Sequence, residues 1–228
     1  MRYVIAASKI WKPGMIGELR KLSRGEFILL TKRKQLTAPR LKALRPRYIF
    51  FPHWSFFIPP EVYTEFECVI FHMTDVPFGR GGTPLQNLIT RGIRKTKISA
   101  IRATGKIDAG DVYLKRNLSL KGTAQQIYER ATRIILQMIL EIIRNNPKPL
   151  PQKGKAVWFR RRIPAESNIQ NLKTLKSVYD FIRMLDAEGY PHAFLESRHL
   201  RFEFTRAILK KNQVESKVTI TLKRQIKL

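Results

Sequence analysis

Two side chains in this sequence are suited to moving a proton, and the segment between them suits close approach of a ligand. His72 closes the apolar run "ECVIFH" (67–72), and "MTDVPFGRGGTPLQ" follows it directly. An imidazole at the mouth of a strand can donate a hydrogen bond or exchange a proton near neutral pH. The glycines of "GRGG" let backbone amides approach a bound molecule with no side chains in the way. The helix-forming "TPLQNLITRG" (83–92) turns its positive N-terminal end to the same region. Asp108, in "KIDAGD", sits in a tight connection between two strands, where a carboxylate can orient the imidazole or take up a proton. The chemistry implied is general acid–base work.

The surrounding pattern shows what must position these groups. "RYVIAAS" opens as a buried strand and "GEFILLT" (25–31) as a second, separated by a segment with helical spacing at Met15, Ile16, Leu19 and Leu22. "PRYIFFPHW" (46–54) and "ECVIFH" supply two more. Continuously apolar strands separated by helix-length segments predict a mostly parallel, Rossmann-like α/β sheet covered by helices on both faces. In such sheets ligands bind beyond the carboxyl ends of the strands, where both His53 and His72 fall. "KISAIRA" and "DVYLKRN" read as two strands joined by "TGKIDAG". A long helix over 122–146 opens with a Thr123/Gln126 capping box and carries an apolar stripe of Ile127, Ala131, Ile134, Ile135, Met138 and Ile142. The proline-rich "NNPKPLPQKGK" (145–155) marks a boundary. The expected division is a catalytic domain over 1–147 and a small basic subdomain over 148–228. The latter should be α+β and mainly antiparallel, with a helix around Leu175–Leu185 and strands near 192–209 and 214–224.

Composition narrows the function classes. With 228 residues, 43% hydrophobic and 10% aromatic, the chain can bury a core and is not a disordered polycation. A single cysteine, Cys68, excludes an internal disulfide framework and a multi-cysteine zinc site, so no metal is expected. The N-terminal segment does not read as a signal peptide, and no run reaches the roughly 18 apolar residues of a spanning helix. The expectation is a cytoplasmic protein without a membrane partner. There are 44 basic residues against 17 acidic, a formal net charge of +27. The excess is concentrated in residues 1–50 (13 basic, 2 acidic) and 151–228 (17 basic, 7 acidic). Such a field attracts phosphates; a heat-adapted charged surface is the other reading, although glutamates are few.

At this point the residues carry a resemblance. "WSFFIPPEVY" (54–63), "FHMTDVPFGRGGTPLQ" (71–86) and "KISAIRATGKIDAGDVYLKRNLSL" (97–120) occur in the order found in formyltransferases that use 10-formyltetrahydrofolate. The chain is similar to both the methionyl-tRNA and the sugar N-formyltransferase branches, with fewer residues before the matched region than usual. The tail segments "WFRRRIPAESNI" and "YDFIRMLDAEGYPHAF" (179–194) resemble the sugar N-formyltransferase subdomain. By position, the resemblance makes His72 and Asp108 the catalytic pair. The family's Asn-x-His pattern is broken, because Ile70 stands where the asparagine would hold the formyl oxygen; losing one such donor costs about a hundred- to a thousandfold in rate. His53 is the candidate replacement, or else a satisfied structural histidine beside aromatics. The pterin of the cofactor, 10-formyltetrahydrofolate, would meet the main chain of Phe56, Phe57 and Ile58 and of Ala103, Thr104, Gly105 and Ile107. Arg80 either ties down its loop or reaches a substrate phosphate, and Arg160, Arg161 and Arg162 are further phosphate candidates.

The enzyme the resemblance implies formylates an amine, with a nucleotide-linked amino sugar as the expected acceptor. The alternatives are an aminoacyl-tRNA acceptor, or a nucleic-acid-binding protein that has lost the chemistry along with the asparagine.

Overall fold

The computed structural model describes residues 1–223, so the end of the expected strand 214–224 and of the expected 148–228 subdomain lies outside the described residues. The chain forms two compact units interleaved in sequence. The first comprises Met1–Pro84, Lys95–Leu118 and Tyr128–Phe159; the second comprises Leu85–Arg94, Ser119–Ile127 and the chain from Arg160 on. No helix among the described residues is long and apolar enough to cross a membrane.

The first unit is built on a six-stranded sheet in the order β2-β1-β3-β4-β6-β7. Strands β1 (Arg2–Ala6), β2 (Glu26–Leu30), β3 (Tyr48–Phe51) and β4 (Cys68–His72) run parallel. Their apolar runs follow from this arrangement, because a central parallel strand has no solvent face on which to place polar residues. Val4, Ile5, Ile49, Phe50 and Val69 are wholly buried. Helix α1 (Met15–Leu22) follows β1 and buries Met15 and Leu19.

Two short helices escape sequence reading. α2 (Ala38–Leu44) and α3 (Pro60–Glu65) have seven and six residues, too few for a 3.6-residue period to repeat. Each is instead started by a proline in its first turn, where the missing N–H costs nothing.

Past β4, the short strand β5 (Phe78–Gly81) is held outside the main sheet by parallel pairing with β8 (Val157–Phe159). Its "FGRG" sequence reads as a loop, since glycine is a poor strand former and the partner is far along the chain. β6 (Lys95–Arg102) then joins β4 antiparallel, and β7 (Val112–Ser119) completes the sheet. Helix α5 (Ala124–Asn145) starts with the expected reciprocal cap: Thr123 N–H donates to Gln126 Oε1 at 3.1 Å, and Gln126 N–H donates to Thr123 Oγ1 at 3.3 Å. Its stripe buries Ile127, Ala131, Ile135, Met138 and Ile142.

In the second unit, helix α4 (Pro84–Thr90) and helix α6 (Leu175–Leu185) are joined by Gln86 Nε2, which donates to the Met184 carbonyl at 3.1 Å. An antiparallel sheet of β9 (Ala193–Glu196), β10 (Leu200–Leu209) and β11 (Val214–Leu222) completes the unit. Buried Arg183 donates to the carbonyls of Leu120 at 2.7 Å and Gly122 at 3.0 Å and pairs with Asp180 at 2.6 Å. A buried guanidinium needs this number of acceptors to offset its lost hydration.

Candidate active site

His72 is the last residue of β4 and is buried. Its Nε2 lies 2.7 Å from the carbonyl oxygen of Gly79. A carbonyl can only accept, so Nε2 carries the hydrogen and Nδ1 is left to face the Asp108 carboxylate, with Oδ2 at 3.5 Å. At that separation ring and acid face each other without a direct hydrogen bond. Asp108 is itself tied to β5: the Gly81 N–H donates to Oδ2 at 2.9 Å. One short strand thus holds both members of the pair through backbone atoms two residues apart. This is why glycines follow the histidine. A Cβ on Gly79 (φ 78°) would lie 2.7 Å from both Phe159 and Thr74, and one on Gly81 (φ 104°) would lie 2.5 Å from the Phe159 carbonyl oxygen.

The strand register makes this meeting unexpected. β6 ends at Arg102 opposite Val69, at the start of β4, about 10 Å from His72 along the strand. The 103–111 connection must therefore fold back along the sheet to deliver Asp108. Three features bend it. Asp108 has a left-handed φ of 48°, which aspartate tolerates better than most residues. Gly110 approaches the Arg102 carbonyl so closely that an added Cβ would sit 1.8 Å from that oxygen. Gln152 Nε2 bonds the carbonyls of Asp108 at 2.9 Å and Gly110 at 2.8 Å.

Gln152 is a positioning residue that sequence reading missed, because its segment reads as a linker. Its Oε1 accepts from Arg80 Nε at 3.1 Å and from an Arg80 terminal nitrogen at 2.7 Å. Arg80 thus ties β5 to Gln152, 72 residues further along the chain. Thr74 and Ser99 complete the support: Thr74 Oγ1 also donates to the Gly79 carbonyl at 3.3 Å, and Ser99 Oγ donates to the Thr74 carbonyl at 2.7 Å. Asp75 is a loop carboxylate. Burial raises its pKa, but bonds from Lys115 (2.5 Å) and Lys97 (2.9 Å) outweigh that and hold it below the usual range.

His53 does not join this pair. Its Nε2 lies 2.9 Å from Thr132 Oγ1, whose hydroxyl donates to the Tyr128 carbonyl at 2.8 Å, so His53 is the donor in that bond. Its ring meets Trp11 and Tyr128 edge-on, and burial lowers its pKa to about 4. This is the structural alternative, and the donor role expected in place of the asparagine has its Nε2 already committed. Ile70 shares the His72 face of β4 and is half-buried against the core cluster that also receives Trp54, Ile58 and Tyr63.

The residues expected at the pterin are in the first unit. Ala103 belongs to the same core cluster, and Ile58 packs on it. Phe56 and Phe57 are exposed, as are Thr104, Gly105 and Ile107. The other phosphate candidates lie in the second unit, where Arg160 pairs with Glu166 and Arg162 donates to the Glu166 carbonyl at 2.6 Å. Arg161 is exposed and has no partner among the described residues.

A mostly parallel α/β sheet with a His–Asp pair at a strand end, in a chain that also carries a small antiparallel sheet, is the architecture of the formyltransferase fold. The chain is similar to a methionyl-tRNA formyltransferase from Clostridium thermocellum at 46% identity, with a TM-score of 0.94, covering 98% of this chain and 100% of that one. On that likeness the chain belongs to the formyltransferase family that includes methionyl-tRNA formyltransferase. Residues 164–221 match the family model described as the methionyl-tRNA formyltransferase C-terminal domain. Methionyl-tRNA formyltransferase from Mesoplasma florum is 26% identical over 170 residues, 71% of this chain and 54% of the relative. The chain thus spans about half the length of the curated relatives it matches. HypX from Aquifex aeolicus, solved in complex with tetrahydrofolic acid, shares the fold at 21% identity and a TM-score of 0.76, over 91% of this chain and 38% of HypX.

Proposed function

We propose that the chain transfers a formyl group from 10-formyltetrahydrofolate to an amine, and that the amine is carried by an aminoacyl-tRNA. The observation that carries the reading is the clamped His72–Asp108 pair, a proton-handling unit held by backbone atoms at the carboxyl end of a parallel strand.

The loops fit the cofactor. The main-chain N–H groups of Phe56, Phe57, Ile58, Thr104, Gly105 and Ile107 take no partner among the described residues. Nearby, the buried indole nitrogen of Trp54 is also without a partner. A pterin, planar with donors and acceptors around its rim, suits unpaired backbone groups beside apolar side chains. When bound, the folate supplies the activated formyl group.

The protein's own part is proton management and placement. Asp108, fixed by Gly81, takes the proton released as the acceptor amine attacks, and that proton then goes to the folate nitrogen as its bond to the formyl carbon breaks. His72 donates its Nε2 hydrogen, which the Gly79 carbonyl holds in place beforehand, to the developing oxyanion. A separation of 3.5 Å is longer than a hydrogen bond and is expected to tighten when substrates bind.

Two likenesses support tRNA as acceptor: the tail matches a methionyl-tRNA formyltransferase domain, and the 46% identical structure carries that name. The second reading, a nucleotide-linked amino sugar, rests on the Arg-Arg-x-Pro and Gly-Tyr-Pro segments of the tail. The test is a transfer assay with 10-formyltetrahydrofolate, following folate release with methionyl-tRNA and with a UDP-linked amino sugar as acceptors. Formylation of the amino sugar alone would overturn the tRNA assignment. Transfer to neither, with folate bound, would favour the nucleic-acid-binding alternative.

A further inference from the structure

Among the described residues, one buried side-chain donor makes no hydrogen bond: the indole Nε1 of Trp54. Burying an N–H without an acceptor is costly, and native proteins keep such a group where a ligand brings the acceptor. Trp54 lies three residues past the carboxyl end of β3, and its backbone is held on both sides by one hydroxyl. Ser8 Oγ donates to the His53 carbonyl at 2.7 Å and accepts from the Ser55 N–H at 3.0 Å. His53 takes a left-handed φ of 51° there and sends its own ring to Thr132 in α5. The Trp54 ring meets Phe51 and Phe56 edge-on, with ring centres 6.0 Å and 5.2 Å away. The indole is thus set in place before any ligand arrives.

The sheet puts this donor on the face that carries His72. Phe51 is paired with Ile70 across β3 and β4, so their side chains share a face, and His72 follows on it about 7 Å further along the strand. Trp54 and Ile70 both pack on the core cluster that contains Phe51. An attacking amine pushes the carbonyl electron pair of the formyl group onto its oxygen, and the pair returns when the bond to the folate nitrogen breaks. The charge on that oxygen is stabilised by donors already aimed at it. His72 supplies one through Nε2, and Ile70 beside it has none to give. An indole N–H only donates, so it steadies the oxygen without entering the proton transfer handled by Asp108. We infer that Trp54 Nε1 donates a second hydrogen bond to the formyl oxygen, alongside His72, as the amine attacks. This rests on the formyl-transfer reading above and deepens it, whatever molecule carries the amine.

The test uses the full chain with tetrahydrofolate and with 10-formyltetrahydrofolate, which differ only in the formyl group, in the absence of acceptor. The chain has three tryptophans, so an isotope-labelled sample gives three indole N–H resonances, assigned by replacing each tryptophan with phenylalanine in turn. The Trp54 resonance of the wild type should move further downfield with 10-formyltetrahydrofolate than with tetrahydrofolate. Trp54→Phe keeps an aromatic ring and removes the donor. Its single-turnover transfer rate should fall by about a hundred- to a thousandfold, with tetrahydrofolate affinity within a few fold of wild type; thermal unfolding confirms its fold. Equal shifts with both folates, or a loss of tetrahydrofolate affinity as large as the loss of rate, would make Trp54 a pterin contact and overturn the inference. Unchanged transfer by Trp54→Phe would overturn it too. A formyl-dependent shift without transfer to methionyl-tRNA or to a UDP-linked amino sugar would support the donor and remove both acceptor readings. A wild type that binds neither folate would overturn the formyl-transfer reading and the donor together.

Discussion

Nδ1 of His72 faces Oδ2 of Asp108 at 3.5 Å; the ring is held through Nε2 by the Gly79 carbonyl, and the same Oδ2 accepts from the Gly81 N–H of that four-residue strand. The Gly79 carbonyl therefore fixes the hydrogen on Nε2, and among the described residues no ion pair other than the one with His72 is made by this carboxylate. Such a pair is positioned before substrate arrives, which is where most of its catalytic value would lie.

Asp108→Asn should keep the bond from the Gly81 N–H, because the amide oxygen still accepts, and should remove the proton acceptor beside Nδ1. Transfer is expected to fall by about a hundred- to ten-thousandfold with folate affinity within a few fold of wild type. Equilibrium dialysis with tetrahydrofolate, beside a single-turnover assay, checks this; D108N with near-normal turnover would remove Asp108 from the chemistry.

Gly79→Ala and Gly81→Ala test the clamp. Both positions combine a left-handed φ with a neighbour inside contact distance, at Gly81 a backbone oxygen that cannot swing away. Each should lose about 2–4 kcal/mol of stability, read by denaturant unfolding. Alanine at either site with unchanged stability would contradict the β5–β8 geometry.

Arg80 and Gln152 should behave as positioning residues. Arg80→Met and Gln152→Ala release the loop that carries Asp108, so kcat should fall by about tenfold while KM for the acceptor changes little. A rise in acceptor KM with unchanged kcat in R80M would instead return Arg80 to the phosphate role.

The pH dependence of stability contains a term from His53. Burial holds its native pKa at about 4, below the ordinary value of 6.5, so the unfolded chain takes up the proton first. This contribution is fully present above about pH 6.5 and is lost as pH falls towards 4, amounting to roughly 2–3 kcal/mol. Urea unfolding at pH 7 and pH 4.5 should show a smaller difference for His53→Gln than for wild type; equal differences would mean that His53 is not buried as a neutral ring.

Local chemistry made much of this protein legible in its sequence. Four apolar strands, the Thr123/Gln126 cap of α5 and the placement of His72 at a strand end all depend on residues within a turn or two of one another. Periodicity and capping rules read such features directly. The short helices α2 and α3 lack that signal, and β5 lacks it more completely, since its partner strand lies beyond α5.

What the sequence by itself determined was the class of fold, with a histidine at a strand end and an aspartate in the turn between two later strands. Tertiary structure alone decided how they are used. It set the bond from Gly81 to Asp108 across 27 residues, the Arg80–Gln152 tie across 72 and the His53–Thr132 bond across 79. A hydrogen bond depends on where two backbones end up and not on what lies between them, so its partner leaves no pattern in the neighbouring residues. That is how a linker glutamine came to hold the loop that carries Asp108, and how a second strand-end histidine came to bond Thr132 in α5.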